Sequence, residues 1–421
     1  MGRPLAIDLF SGCGGLSLGL EAAGFDVAGA VEVDPVHALV HHFNFSYGVT
    51  LCQDINTLDS DVLLQQIRDK GFMGEIDLIA GGPPCQGFSL MGKRQLEDPR
   101  NQLVFEYLRI VDEIRPKYFI FENVAGMATG KHRTFRDTLI NRFKQIGYQT
   151  IESGQVLDSS LYGVPQKRKR LFILGYRDGV PPICYPIATT PTEDSQVKVS
   201  HAIEDLEAIT VHKGKDTGIP ATQLNYINFR KNFSVKNDGA FKLCHKRSTN
   251  GKVWGHLGSN HTQKSTDRFA QTQPGKTEKV SRFYRLHPDG LSNTLRAGTP
   301  SGRGAHTAAR PIHYAVPRCI SIREAARLHT FPDWFQFHRT IWHGFREIGN
   351  AVVPLLAKQI GDEIIKALNC DLRDLTPRSL EKVEEQFLSY TVSEACAYWE
   401  ISRDLIPKRT REKKLVSQNT R

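Results

Sequence analysis

The chain has 421 residues, 40% of them hydrophobic, and a formal net charge of +10. That length suffices for two domains and a large core, and no apolar stretch approaches the ~20 residues a membrane-spanning helix needs. The eight cysteines include no Cys-x-x-Cys pair, so neither a zinc ribbon nor a disulfide framework is indicated and no metal is expected. Met1-Gly2-Arg3-Pro4 runs straight into a strand-like segment, which leaves no room for a signal peptide and points to a reducing, cytoplasmic setting.

The positive charge is concentrated. Residues 211–280 carry a net +9 and the tail 408–421 a net +5, so the remainder is slightly acidic. Such a field suits a polyanionic partner. A solvated lysine-rich surface is the plain alternative.

Apolar runs at 5–9, 26–31, 76–80, 118–122 and 170–175 read as strands. Helical patterns at 15–23, 36–43, 60–70, 103–114 and 135–146 alternate with them. Alternation of this kind predicts an α/β fold with a parallel sheet covered by helices. The first strand leads into Phe10-Ser11-Gly12-Cys13-Gly14-Gly15-Leu16, a glycine-rich turn whose backbone can approach a ligand closely. Glu32 ends the second strand, twenty positions after Gly12, where a carboxylate can accept hydrogen bonds from both hydroxyls of a ribose. A dinucleotide would want Gly-x-Gly-x-x-Gly, but Ser17 stands at the third glycine's place. That departure, with Asp54-Ile55 after a third segment, favours S-adenosylmethionine.

The run at 76–80 is cut short by Gly81-Gly82-Pro83-Pro84, and Cys85 follows at once. A thiol fixed at a strand's carboxyl end is a candidate nucleophile, although a lone cysteine is more often inert core. Glu122 closes the next strand candidate. The run Gln166-Lys167-Arg168-Lys169-Arg170 opens the last, and alternation sets Arg168 and Arg170 on one face. Together these supply a nucleophile, an acid and cationic positioning groups.

Prolines at 181, 182, 186 and 191 mark a boundary. Residues 186–310 lose periodicity and combine lysines and amides with scattered aromatics, including Tyr226, Phe229, Phe233, Phe241 and Trp254. Helical patterns return at 321–329 and 351–368. The four expected parts are residues 1–185, 186–310, 311–370 and 371–421, the last a helical appendage with a basic tail. Residues 391–399 have a faint helix-turn-helix pattern, a pattern that short packing helices share.

In this order the motifs resemble those of the cytosine-C5 DNA methyltransferases: DLFSGCGGLSLGLEAAGF at 8–25, VEVDP at 31–35, GPPCQGFS at 82–89, ENV at 122–124, QKRKR at 166–170, SIREAARLHTFPDWF at 321–335 and GNAVVPLLA at 349–357. The resemblance spans residues 5 to about 368 apart from the middle. It implies a doubly wound, mostly parallel sheet of the S-adenosylmethionine-dependent methyltransferase type, with a smaller loop-rich target-recognition domain. It implies that Cys85 attacks carbon 6 of a flipped-out cytosine, that Glu122 engages ring nitrogen 3, and that Arg170 with Arg168 holds the base carbonyl. Val33, Gly82, Pro84, Leu103, Asn350 and Val352 would join Phe10–Leu16, Glu32, Asp54 and Ile55 around the cofactor. Residues 89–101 would close over the base. The implied partner is double-stranded DNA, met by a monomer in the nucleoid. A cofactor motif starting at residue 8 looks like a bacterial modification enzyme of a restriction-modification system.

Three rivals remain at this point. A zinc deaminase needs Pro-Cys-x-x-Cys, but Phe88 stands where the second cysteine belongs. An inactive DNA-binding relative would not need Cys85, Glu122 and Arg170 intact. An RNA methyltransferase of the same fold fits the large basic middle less well than a DNA-reading enzyme does.

Overall fold

The short apolar runs of the first half pair side by side into one mixed sheet. The computed structural model describes residues 2–84, 102–130, 133–224, 251–298, 310–372 and 380–405. Strands β1 (Leu5–Leu9), β2 (Asp26–Glu32), β3 (Val49–Cys52), β4 (Ile76–Gly81) and β5 (Tyr118–Val124) lie in the order β3-β2-β1-β4-β5, all parallel. Helices α1 (Gly15–Ala23), α2 (Pro35–Asn44), α3 (Ser60–Asp69), α4 (Gln102–Ile114) and α5 (Arg133–Gln145) make the crossovers. Every residue of β1 and β4 is buried, as expected where helices cover both faces of a sheet. The chain winds outward from β1 to β3, then returns to place β4 on the other side of β1. That switch point opens a crevice at the strands' carboxyl ends.

The far edge departs from the parallel reading. β8 (Lys169–Arg177) is antiparallel to β5, with Tyr118 opposite Tyr176 and Val124 opposite Arg170. β6 (Tyr148–Thr150) and β7 (Gln155–Asp158) pair successive stretches of β8's other edge. The link from β7 to β8 is too short for a parallel crossover, so β8 must return antiparallel. β3, β6 and β7 were not among the expected strands, being only three or four residues long.

After the loop-rich middle the chain returns through α8 (Ile322–Leu328), α9 (Ile341–Asn350) and α10 (Pro354–Ala367). The last helix was expected from 351. It starts at Pro354 because proline suits the first helical position, where no N–H partner is required. α10 lies against α1 at a distance only glycine permits. A Cβ on Gly19 would sit 2.4 Å from Ala357 Cβ, and one on Gly15 2.4 Å from the Val352 carbonyl oxygen. α9 was missed by the periodicity reading, although Ile341, Phe345 and Ile348 follow the helical i, i+4, i+7 spacing.

Between these halves lie α6 (Val199–Ile203), the two-stranded ribbon of β9 (Ile219–Pro220) and β10 (Lys252–Val253), and α7 (Gln263–Gln271). A small cluster of Leu206, Ile219, Leu224 and Val253 is buried there. In the C-terminal segment, α11 (Val392–Tyr398) packs Ala395 against Val36 and Leu39 of α2, and Trp399 Nε1 donates to the Pro35 carbonyl at 3.1 Å. The faint helix-turn-helix pattern is therefore a packing element. Residues 408–421 lie outside the described residues, as do the four aromatics between 226 and 241.

Candidate active site

The parallel register brings three strand ends to one edge. Leu9 is opposite Gly81, and Gly81 is opposite Phe121. The glycine turn after β1, the Gly82–Pro84 segment after β4 and Glu122 on β5 are thus neighbours. A Cβ on Gly82 would lie 2.8 Å from Glu122 Oε2, and Asn123 Nδ2 donates to the Pro83 carbonyl at 3.2 Å. Pro84 is exposed, and the chain leaves it toward Cys85. Cys85 itself and the loop 89–101 lie outside the described residues.

Glu122 is held by Arg170, whose Nε is 3.1 Å from Glu122 Oε1. The pair follows from the antiparallel register, which seats Arg170 opposite Val124 and directs it along the end of β5. Burial pushes Glu122 above the usual carboxylate range, while Arg170 and then Arg168 pull it back. A carboxyl so placed holds a proton more readily than an exposed one.

Arg168 shares that face but meets other partners. Its guanidinium is buried and donates to the carbonyls of Leu295 (3.0 Å), Gly349 (3.1 Å) and Ala351 (2.9 Å). Gln166, two residues earlier, accepts from Leu295 N at 3.1 Å and meets His329 Nδ1 at 3.0 Å. Two of the three alternating residues therefore tie the end of the loop-rich middle and the return segment to the sheet. Arg168 Nε, also buried, has no partner among the described residues. With its Nη donors engaged by protein carbonyls, Arg168 positions the strand that presents Arg170.

The glycine turn is shaped by backbone conformation. Phe10 (φ 61°), Gly12 (φ 55°) and Gly14 (φ 99°) all have left-handed φ. Ser11 Oγ is buried with no partner among the described residues, and a Cβ on Gly12 would meet nothing within 4 Å, so the turn borders open space beside an unused polar group. Glu32 accepts from Gly12 N and from Asp34 N, each at 2.8 Å. Both oxygens are fixed in place and each keeps a further lone pair. Val33 is half-buried after β2. Asp54 caps the short turn at Ile55–Thr57 by accepting from Asn56 N at 3.0 Å, with Ile55 buried behind it. Cys13, Leu16 and Val352 are buried, Leu103 is half-buried on α4, and Asn350 is exposed at the end of α9.

A residue that sequence reasoning passed over supports the turn. Asp8 is 1% exposed and accepts from Ser17 N (3.0 Å) and Ser17 Oγ (2.6 Å), while Ser17 Oγ also meets His41 Nε2 at 3.0 Å. Ser17, which breaks the dinucleotide pattern, is the hub of this network. Burial pushes Asp8 up to about 7. A charged residue inside an otherwise apolar strand was the available signal.

A family model described as C-5 cytosine-specific DNA methylase matches residues 5–366. The chain belongs to that family, and it is a DNA (cytosine-5-)-methyltransferase. It is 44% identical over 420 residues to the Type II methyltransferase M.XorII of Xanthomonas oryzae pv. oryzae, covering 98% of this chain and 96% of that protein. It is 32% identical to the Type II methyltransferase M.DdeI of Desulfomicrobium norvegicum, with 85% and 88% covered. A solved E. coli structure, described as a DNA modification methyltransferase encoded within a prophage, superposes with a TM-score of 0.69 at 32% identity, covering 87% of this chain and 99% of that one. Within the family, the chain is of the bacterial modification type. Among the described residues no helix is long and apolar enough to cross a membrane.

Proposed function

We propose that the enzyme methylates carbon 5 of a flipped-out cytosine through a covalent Cys85 adduct. The observation that carries this reading is the Glu122–Arg170 pair beside Gly82, at the strand edge from which the chain runs into Cys85. The Cys85 thiolate adds to carbon 6 while Glu122 donates a proton to nitrogen 3, leaving an enamine that is nucleophilic at carbon 5. Arg170, next to Glu122, binds the carbonyl at carbon 2 and orients the acid. S-adenosylmethionine, when bound, supplies the methyl group. Loss of the carbon 5 proton to a base expels Cys85 as a thiolate, and return of the nitrogen 3 proton to Glu122 restores the ring. Because carbon 6 is unreachable in a stacked duplex, the base must leave the helix.

The glycine turn fits such a cofactor. Gly12 opens space, Ser11 offers a hydroxyl, and Glu32 retains lone pairs for a ribose diol. Asp54, Ile55, Val33, Leu103, Pro84, Asn350 and Val352 are assigned to the same pocket. The region 186–310 is assigned to reading double-stranded DNA, with the enzyme working as a monomer in the cytoplasm, bound to the nucleoid. Its lysines supply salt-dependent phosphate affinity and its amides and arginines reach base edges.

Three measurements test this reading. Cys85→Ala should abolish methyl transfer while DNA and S-adenosylmethionine still bind, and 5-fluorocytosine DNA should trap wild type covalently. Turnover by the alanine variant would refute the adduct. Grafting 186–310 onto a related enzyme should carry its target sequence along, and an active chimera that keeps the recipient's target would move recognition elsewhere.

A further inference from the structure

Away from the catalytic edge, three side chains from two helices converge without using their facing atoms. His37 is on the first turn of α2, and His343 and Glu347 lie one turn apart on α9. One donor atom from each of His37, His343 and Glu347 lies within 4.8 Å of the other two. His37 Nε2, His343 Nδ1 and Glu347 Oε1 are buried, and none has a hydrogen-bond partner among the described residues. His37 is 3% exposed and Glu347 1%. Unused polar atoms in such a place are costly.

We propose that His37, His343 and Glu347 form a binding site for a divalent transition-metal ion of the zinc class, tying α2 to α9. Two imidazoles and one carboxylate are a donor set that zinc accepts, with a fourth position for water. The other atoms of these side chains are arranged as outer partners of metal ligands usually are. Glu347 Oε2 accepts from His338 N at 3.0 Å, which leaves Oε1 free to face the cluster. His37 Nδ1 is 3.8 Å from Asp34 Oδ2, a carboxylate that favours the proton on Nδ1 and so leaves a lone pair on Nε2. Bonds of ~2.0–2.1 Å would draw the three atoms together by about 1.5 Å at most, within reach of side-chain rotation.

The site has structural consequences. Asp34, the cap of α2, donates its N–H to Glu32, and Cys13 Sγ lies 3.7 Å from the Glu347 carbonyl. The ion would sit under the glycine turn and join the first half of the sheet domain to the returning segment. The absence of Cys-x-x-Cys said nothing about it, because two of its ligands lie some 300 residues from the third.

The test uses the full-length, tag-free protein and zinc alone. After incubation with zinc and exhaustive dialysis, wild type should retain about one ion per chain, and His37→Gln, His343→Gln and Glu347→Gln should each lose it. Cys184→Ser, which removes an exposed thiol, should retain it. Should a variant fold poorly, cobalt substitution in wild type still decides. A tetrahedral visible spectrum without thiolate charge transfer supports the site, whereas a thiolate band assigns the ion to cysteines and overturns it. No retained zinc, or retention indifferent to all three substitutions, would also overturn it.

Discussion

The sheet domain and the region that follows it are held together in different ways. Around β1, β4 and β5 the interior is almost entirely aliphatic and aromatic, with Ile7, Leu9, Leu78, Ile79, Phe119 and Phe121 all fully buried. Between 200 and 340 buried apolar residues such as Ile322, Phe331 and Phe335 are joined by ties that arginines make to loop carbonyls. Arg285 donates to the carbonyls of Phe269, Thr272 and Tyr314. Arg323 donates to those of Trp254, Pro332 and Phe335. Arg327 pairs with Asp333 at 2.7 Å and with Asp205. Where strands are scarce, loop carbonyls lack ladder partners, and a five-donor guanidinium can satisfy several at once. The basic composition of the chain thus serves two ends, and a buried arginine is not available to a polyanion.

The comparison breaks most sharply at Glu122. Glu122→Gln should slow methyl transfer by about two to four orders of magnitude, the scale of a general acid, and leave the melting temperature near wild type. A variant within a few-fold of wild type would reduce Glu122 to a structural acid. Arg327→Ala should do the reverse. It strips a buried partner from Asp333, so a loss of about 3–5 kcal/mol is expected in denaturant titration. Wild-type stability there would mean the arginine ties carry little.

Asp8 belongs to the apolar side of the comparison yet titrates. Its folded value of about 7 exceeds the ordinary 3.8, so the protonated form favours the fold. That contribution is complete below about 4 and is lost as pH rises through about 7, with a slope of at most about 1.4 kcal/mol per pH unit. Ser17 donates to the carboxyl, His41 meets the Ser17 hydroxyl behind it, and the Glu32 charge acts on it from β2. Asp8→Asn should flatten this fall relative to wild type, and parallel pH profiles would exclude Asp8 as its source. Smallest in effect, Gly19→Ala should cost about 1–3 kcal/mol through overpacking against α10, while a comparable substitution at Gly126, whose added Cβ would meet nothing and whose backbone is not left-handed, should be far milder. Equal losses at both would show that the close approach of the helices is unimportant.

Periodicity revealed the sheet domain well. α1 spans the expected 15–23, and the five expected strands differ from the observed ones by at most two residues at either end. Glu122 and Arg170 were singled out by position in their motifs, and they meet. Arg168 was grouped with Arg170 because alternation reports a face and not what covers it. The carbonyls that engage it come from residues 127 to 183 positions away. The region 186–310 stayed opaque for a related reason. A structure held by side-chain-to-carbonyl ties leaves no repeat in the sequence, since each tie depends on where distant loops pass.

The glycine seam between α1 and α10 also has a history within each molecule's synthesis. α1 is translated early, but the residues that cover it follow roughly 330 positions later, a wait of about 15–65 s at ~5–20 residues per second. Through that interval Leu16, Leu20 and Ala23 have no native cover from α10, and a ribosome that stops short of Pro354 releases a chain that can never close. The newborn enzyme therefore spends most of its translation as an open half-sheet, a natural client for chaperones, and its last hundred residues decide whether the first fifty are protected.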